Sequence, residues 1–238
     1  MLKIENLTKS YGEKKAVDNL SLEILPGQIC GFIGHNGAGK TTTIKCCCGI
    51  LPFEEGQITI DGHSVLADSM ACKRITAYLP DNPDLYDFLS GVKYLNFVAD
   101  IYGVGKKQRE ERIAKYADMF SLTGDLAQPI SAYSHGMKQK LALISALVHE
   151  PKLIIMDEPF VGLDPIASHL MKTIMREHCD NGGAIFFSTH VLEVAEKLCD
   201  QVAIIKNGHL VTSGSMDDVR GDESLEDVFL ELEEDHNA

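Results

Sequence analysis

The chain has 238 residues, 45% of them hydrophobic, and its 35 acidic against 22 basic side chains leave a formal charge of −13. That length can bury the core of one large domain. The acidic balance, with no basic group longer than 106–109 or 138–140, argues against nucleic acid as a partner. No apolar run approaches the roughly 18 residues of a membrane-spanning helix, and the start MLKIENLTK lacks the pattern of a signal peptide, so a cytoplasmic location is expected.

The amino end reads as sheet, with strand-like runs at Leu2-Lys3-Ile4 and from Val17 to Ile24 before a Pro26-Gly27 turn. An apolar run from Gln28 to Ile33 leads into Gly34-His35-Asn36-Gly37-Ala38-Gly39-Lys40-Thr41-Thr42, which fulfils the full phosphate-loop pattern between a strand and a helix expected over Lys40 to Cys48. Glycine lets the backbone bend and aim N–H groups at phosphates, Lys40 adds charge at the outer phosphates, Thr41 offers a hydroxyl to Mg²⁺, and the helix presents its positive end. The chain is therefore expected to bind a nucleoside triphosphate. Cys46, Cys47 and Cys48 point to three faces of one helix, which suits free thiols acting as small apolar residues.

Gln57 to Ile60 followed by Asp61-Gly62 predicts a strand and hairpin turn, and Ile75 to Leu79 a strand stopped by Pro80. From Asp81 to Glu150 the pattern becomes helical, with Val92, Leu95, Ala99 and Tyr102 at helical spacing, Ser90 as candidate N-cap and Gly103 as stop. Eight of the sixteen aromatic residues, Tyr78, Tyr86, Phe88, Tyr94, Phe97, Tyr102, Tyr116 and Phe120, fall in or just before this middle third, more than so small a helical segment needs for its own core; core packing explains most of them, and an apolar docking surface is expected from the rest. After Pro151, Leu153 to Met156, a helix from Pro165, Ala184 to Phe187, a helix over Leu192 to Leu198 and Val202 to Ile205 predict a parallel sheet covered on both faces. The acidic run Glu231 to Asp235 reads as a solvated tail.

The expected fold class is α/β: a P-loop NTPase core with a mainly parallel sheet, an antiparallel β subdomain on the N-terminal side and an inserted helical subdomain. One domain spans 1–238, with 1–80 and 151–238 forming the α/β core and 81–150 the helical insertion. Asp157 and Glu158 end the run LIIMDE, at the carboxyl end of a strand where ligands bind in open α/β sheets. Asp157 is placed to hold Mg²⁺ and Glu158 to polarise an attacking water.

The order GHNGAGKTT, YSHGMKQK, LIIMDEP, VGLD and STH resembles the nucleotide-binding subunit of an ABC transporter over essentially the whole chain. The resemblance implies an ATPase with ATP and Mg²⁺ as ligands. It places Tyr11 on the adenine, Gly34 to Thr42 in the Walker A loop, Asp157 and Glu158 in the Walker B pair, and His190 at the switch histidine beside the γ-phosphate. It assigns Ser134 and Gly136 to the signature motif and Asp164 to the D-loop, both facing ATP held by a second subunit, while Asp164 can also cap the helix at Pro165. Asp81 stands where the family usually has glutamine, as a metal ligand and sensor of the membrane partner, and the signature YSHGM departs from the commonest form. Both variants resemble prokaryotic export-type ATPases. The implied partners are a second nucleotide-binding subunit and a separate membrane permease, whose short helix would meet Leu85, Tyr86, Phe88 and Leu89, holding the chain at the inner face of the membrane. The alternative is a soluble ABC-type ATPase acting on ribosomes or DNA, which usually carries two nucleotide domains or a long coiled-coil insertion; neither is seen.

Overall fold

The computed structural model describes the backbone of residues 1–234 and the side chains of residues 1–232. In chain order, β1 (Leu2–Tyr11), β2 (Lys14–Ile24) and β3 (Ile29–Ile33) precede α1 (Lys40–Cys47), and β4 (Glu55–Ile60) and β5 (His63–Ser64) precede α2 (Ser69–Ile75). Strand β6 (Thr76–Leu79) is followed by α3 (Gly91–Ile101), α4 (Lys106–Met119) and α5 (His135–Val148). Then come β7 (Leu153–Met156), α6 (Pro165–Asp180), β8 (Ala184–Thr189), α7 (Leu192–Leu198), β9 (Gln201–Lys206), β10 (His209–Ser215), α8 (Met216–Arg220) and α9 (Leu225–Glu234).

Two sheets form. One is antiparallel, in the order β2-β1-β4-β5; the other runs β10-β9-β3-β8-β7-β6, parallel except for the edge strand β10. Strand periodicity divides the interior in two. Ile29, Ile33, Ile154, Met156, Ile185, Phe187, Val202 and Ile204 face a core shared with α3 to α7. Their neighbours Cys30, Phe32, Leu153, Ile155, Ala184, Phe186, Ala203 and Ile205 face a second core holding α1 and the antiparallel sheet. Helix α1 is thus clamped between the sheets, with Ile44, Cys46 and Cys47 buried. All seven cysteines are free thiols, and burial pushes the Cys46 thiol up to about 11.

The segment from Asp81 to Glu150 leaves the sheet after β6 and returns at β7, which pairs directly with β6 in register Thr76 to Leu153 through Leu79 to Met156. It can therefore carry helices away without interrupting the sheet. The Asp61-Gly62 turn is present, both residues at positive φ.

Several local expectations change. Ile75 ends helix α2 rather than starting a strand. Ser90 occupies the N-cap position of α3 without a side-chain cap bond. Leu85 is buried, leaving Tyr86 and Phe88 as the exposed members of the apolar group. Glu231 to Glu234 belong to helix α9, with the Glu231 side chain exposed as expected of the run, and Asp235 lies outside the described residues.

Candidate nucleotide site

The phosphate loop begins where β3 ends, at the carboxyl edge of the parallel sheet. Its glycines are required for different reasons. A Cβ at Gly34 would lie 2.4 Å from the Ile205 carbonyl oxygen, so this glycine lets the loop pass against β9. Gly39 has φ +114°, and a Cβ there would lie 2.5 Å from the Ala16 carbonyl oxygen. The loop is pinned from the far end of the chain as well, because Gly208 N–H donates to the Ala38 carbonyl at 2.9 Å.

The buried Lys40 side chain spans this loop. Its Nζ donates to the Gly34 carbonyl at 2.5 Å and the His35 carbonyl at 3.2 Å, and lies 3.6 Å from Glu158 Oε1. Thr41 Oγ1 donates to Asp157 Oδ2 at 2.7 Å, and Ser188 Oγ donates to Asp157 Oδ1 at 2.5 Å. Ser188 Oγ in turn accepts from Glu158 N–H at 3.0 Å. The parallel register Met156 to Phe187 brings these side chains together, since the residues just beyond that pair are Asp157 and Ser188.

Glu158 sits at φ +47°, an uncommon conformation for a residue with a side chain, held by the hydrogen bond to Ser188. Its two carboxylate oxygens face different partners. Oε2 is 2.9 Å from His190 Nδ1, whereas Oε1 is buried with no hydrogen-bond partner among the described residues and lies 3.6 Å from the Lys40 ammonium. A buried acceptor with unused capacity, aimed into a cleft, is suited to take a hydrogen bond from a water there.

Lys40, Thr41, Asp157 and Glu158 line one cleft of about 340 Å³, together with Tyr11, His35, Asn36, Gly37, Thr42 and Asp81, whereas Ser188 and His190 do not line it and connect to it through their bonds to Asp157 and Glu158. Tyr11 is half exposed at its mouth, with Lys9 Nζ 5.4 Å from the ring centroid. Lys14, Lys15 and the Asn207-Gly208 turn also reach the wall, and sequence reasoning missed them. Ser188 was visible as the first residue of STH, but its bridge between Asp157 and Glu158 was not. The donor set fits a hydrated Mg²⁺, an ion held by one or two carboxylates plus substrate phosphates: Thr41 and Asp157 place two oxygens side by side, with Asp81 on the same cleft.

Ser134, Gly136 and Asp164 do not line this cleft. Their two segments meet elsewhere. Ser134 caps α5, its Oγ accepting from Met137 N–H at 3.3 Å, and Asp164 caps α6, accepting from Ala167 N–H at 2.8 Å. A Cβ on Gly136 would touch the Gly162 carbonyl at 3.4 Å, Gln139 donates to the Val161 carbonyl, and Lys140 Nζ donates to Asp164 Oδ2 at 2.8 Å. That Lys140 hydrogen bond, helped by the cap, holds the Asp164 carboxyl below its usual range. The two motif segments form one exposed edge that carries the capped N-termini of α5 and α6.

Known proteins resemble the chain across its length. A family model described as ABC transporter matches residues 17–161. The ABC-type transporter ATP-binding protein EcsA of Bacillus subtilis (strain 168) is 35% identical over 237 residues, covering 98% of this chain and 96% of that protein. The linearmycin resistance ATP-binding protein LnrL of the same organism is 33% identical over 220 residues, covering 92% and 70%. Among solved structures, one described as the ATP binding subunit of an ABC transporter superposes with a TM-score of 0.94 at 34% identity, covering 98% of this chain and 99% of that one.

Proposed function

The chain belongs to the ABC transporter family as an ATP-binding subunit and ATPase, and on that premise we propose that it powers a separate membrane permease in the direction of export. ATP-binding subunits of this family work with membrane permease components and dimerise. Here the dimer closes on ATP and reopens on hydrolysis. The observation that carries this reading is the convergence of Lys40, Thr41, Asp157 and Glu158 on one cleft, with His190 hydrogen-bonded to Glu158 from outside its lining.

In this reading the backbone of Gly34 to Thr42, including His35, Asn36, Gly37, Ala38 and Gly39, cradles the phosphates, and Lys40 turns from the loop carbonyls to the outer phosphates. Tyr11 stacks on the adenine. Thr41 and Asp157, with Asp81, hold Mg²⁺, which supplies positive charge for the phosphates when bound. Glu158 orients and polarises the attacking water, and His190 fixes the Glu158 carboxylate while reaching toward the γ-phosphate. Ser134, Gly136 and Asp164 serve the ATP of the second subunit. The exposed α5 N-terminus supports that division, because it is built for an anion but stands outside its own chain's cleft.

Residues 81–150 act as the docking subdomain. Tyr86 packs on Phe88, Tyr94 and Phe97 at centroid distances of 5.9, 6.2 and 5.6 Å, with Tyr86, Phe88 and Phe97 exposed. This patch receives the permease's cytoplasmic helix and holds the chain at the inner face of the membrane. No helix among the described residues is long and apolar enough to cross a membrane. Asp81, the YSHGM signature and the likeness to a protein named for linearmycin resistance support the export direction.

Affinity isolation of the tagged chain from gently solubilised membranes of its own cell tests this. Recovery with a multi-spanning membrane protein is expected, and Tyr86→Asp should abolish it while ATP binding persists. Recovery with ribosomes, or undiminished co-purification of the Tyr86→Asp chain, would overturn the docking assignment.

A further inference from the structure

The segment after β10 carries none of the nucleotide motifs, yet its helix α9 packs against the phosphate loop. Helix α9 places Leu225, Phe229 and Leu232 at i, i+4 and i+7, one face of a helix. Leu225 and Phe229 are buried and Leu232 packs against the same core. The Phe229 ring meets the His35 ring edge to face, with centroids 5.1 Å apart and planes inclined at 66°. His35 is the second residue of the phosphate loop, and its carbonyl accepts from Lys40 Nζ at 3.2 Å and from Ala38 N–H at 3.1 Å.

A second link runs parallel to the first. Lys206 Nζ donates to the Leu232 carbonyl at 3.3 Å, and Lys206 leads directly into the Asn207-Gly208 turn that holds the Ala38 carbonyl. The loop is thus tied to α9 at His35 directly and at Ala38 through the β9-β10 turn. A loop rich in glycine loses much conformational freedom when it is fixed around phosphates. Contacts that restrict it beforehand lower that cost on binding.

We propose that Phe229 is a positioning residue for ATP: by docking its ring on His35, α9 holds the first half of the phosphate loop in its binding shape, so that ATP affinity follows the docking of α9. The proposal rests on the assignment of residues 34–42 as the loop that takes the phosphates of ATP. It gives the C-terminal helix a part in the nucleotide site that neither its position in the chain nor its acidic composition suggests.

Calorimetric titration of the full chain with ATP and Mg²⁺ tests it. Phe229→Ala should weaken binding roughly 2- to 12-fold, the range of an aromatic pair. Phe229→Leu, which keeps apolar volume in the core, should weaken it too, while Phe229→Tyr should stay near the parent. His35→Ala should weaken binding at least as much as Phe229→Ala, and the double variant should be no weaker than His35→Ala, because Phe229 acts through His35. In turnover, KM for ATP should rise by a larger factor than kcat falls. Unchanged affinity in a folded Phe229→Leu chain, or effects that multiply in the double variant, would overturn the proposal. Lys40→Ala is the control for the premise, with an expected loss on the order of 10- to 100-fold. If its affinity is unchanged, the phosphate-loop assignment fails, whatever Phe229 does.

Discussion

Helices α1 and α5 both begin within a nucleotide motif, and they do so in opposite settings. The start of α1 lies inside a cleft walled by both halves of the chain, with Lys40, Asp157 and Ser188 buried and hydrogen-bonded around it. The start of α5 lies on an exposed edge, capped by its own Ser134 and braced by the Gly162 loop. The same backbone feature therefore opens into a walled cleft in one place and, in the proposed reading, serves as half of a shared site in the other. What separates them is whether neighbouring strands bring charged side chains to the helix end.

The largest expected effect attacks the walled cleft. Glu158→Gln removes the carboxylate shared by His190 and Lys40, and kcat should fall roughly 10²- to 10⁴-fold. With saturating ATP and Mg²⁺ the variant should elute as a dimer in size exclusion; a solely monomeric profile would count against ATP-driven closure.

A smaller effect lies at the buried end of α5. The His149 ring stacks on Tyr102 at 3.6 Å between centroids, and burial pushes its pKa from the ordinary 6.5 to about 4. The folded chain thus favours neutral His149, and the unfolded chain binds the proton more readily. Stability is intact above about pH 6.5 and should decline by on the order of 2–3 kcal/mol as the pH falls toward 4. His149→Phe keeps a ring on Tyr102 and should flatten that slope in urea melts across the interval. Equal slopes in the two proteins would exclude His149 as the cause.

The smallest effect is at the exposed end of the same helix. Ser134→Ala removes the cap bond to Met137 and should cost about 1 kcal/mol in thermal unfolding. It should also weaken the ATP-driven dimer, since the half-site loses its ordered helix end. A dimer as stable as that of the parent would place Ser134 outside the shared site and leave it a cap only.

Much of the cleft was legible in the chain. The glycine spacing, the apolar run before it and the acidic pair ending LIIM each reflect a constraint that acts within a few residues. Asp164 and Pro165 likewise gave the start of α6, because a cap and an N1 proline are local signals. Helix α2 escaped notice: its seven residues bury only Cys72, which leaves no apolar stripe to read. Helix α9 escaped for another reason. Its acidic residues suggested a solvated run, although the Leu225, Phe229 and Leu232 stripe was present between them.

By itself the sequence determined the family, the alternating strands and helices, and the order of the chemical groups, because periodicity and backbone freedom are encoded locally. Only the tertiary structure decided which distant residues meet. The parallel registers of β7 with β8 and of β3 with β8 and β9 set Ser188 against Asp157 and Gly34 against Ile205. The packing of α9 put Phe229 on His35, and the path of residues 81–150 left Ser134 outside the cleft that its own chain forms, on the edge where Lys140 meets Asp164. Register and docking depend on the fit of whole faces across long sequence separations, and no local pattern specifies that fit.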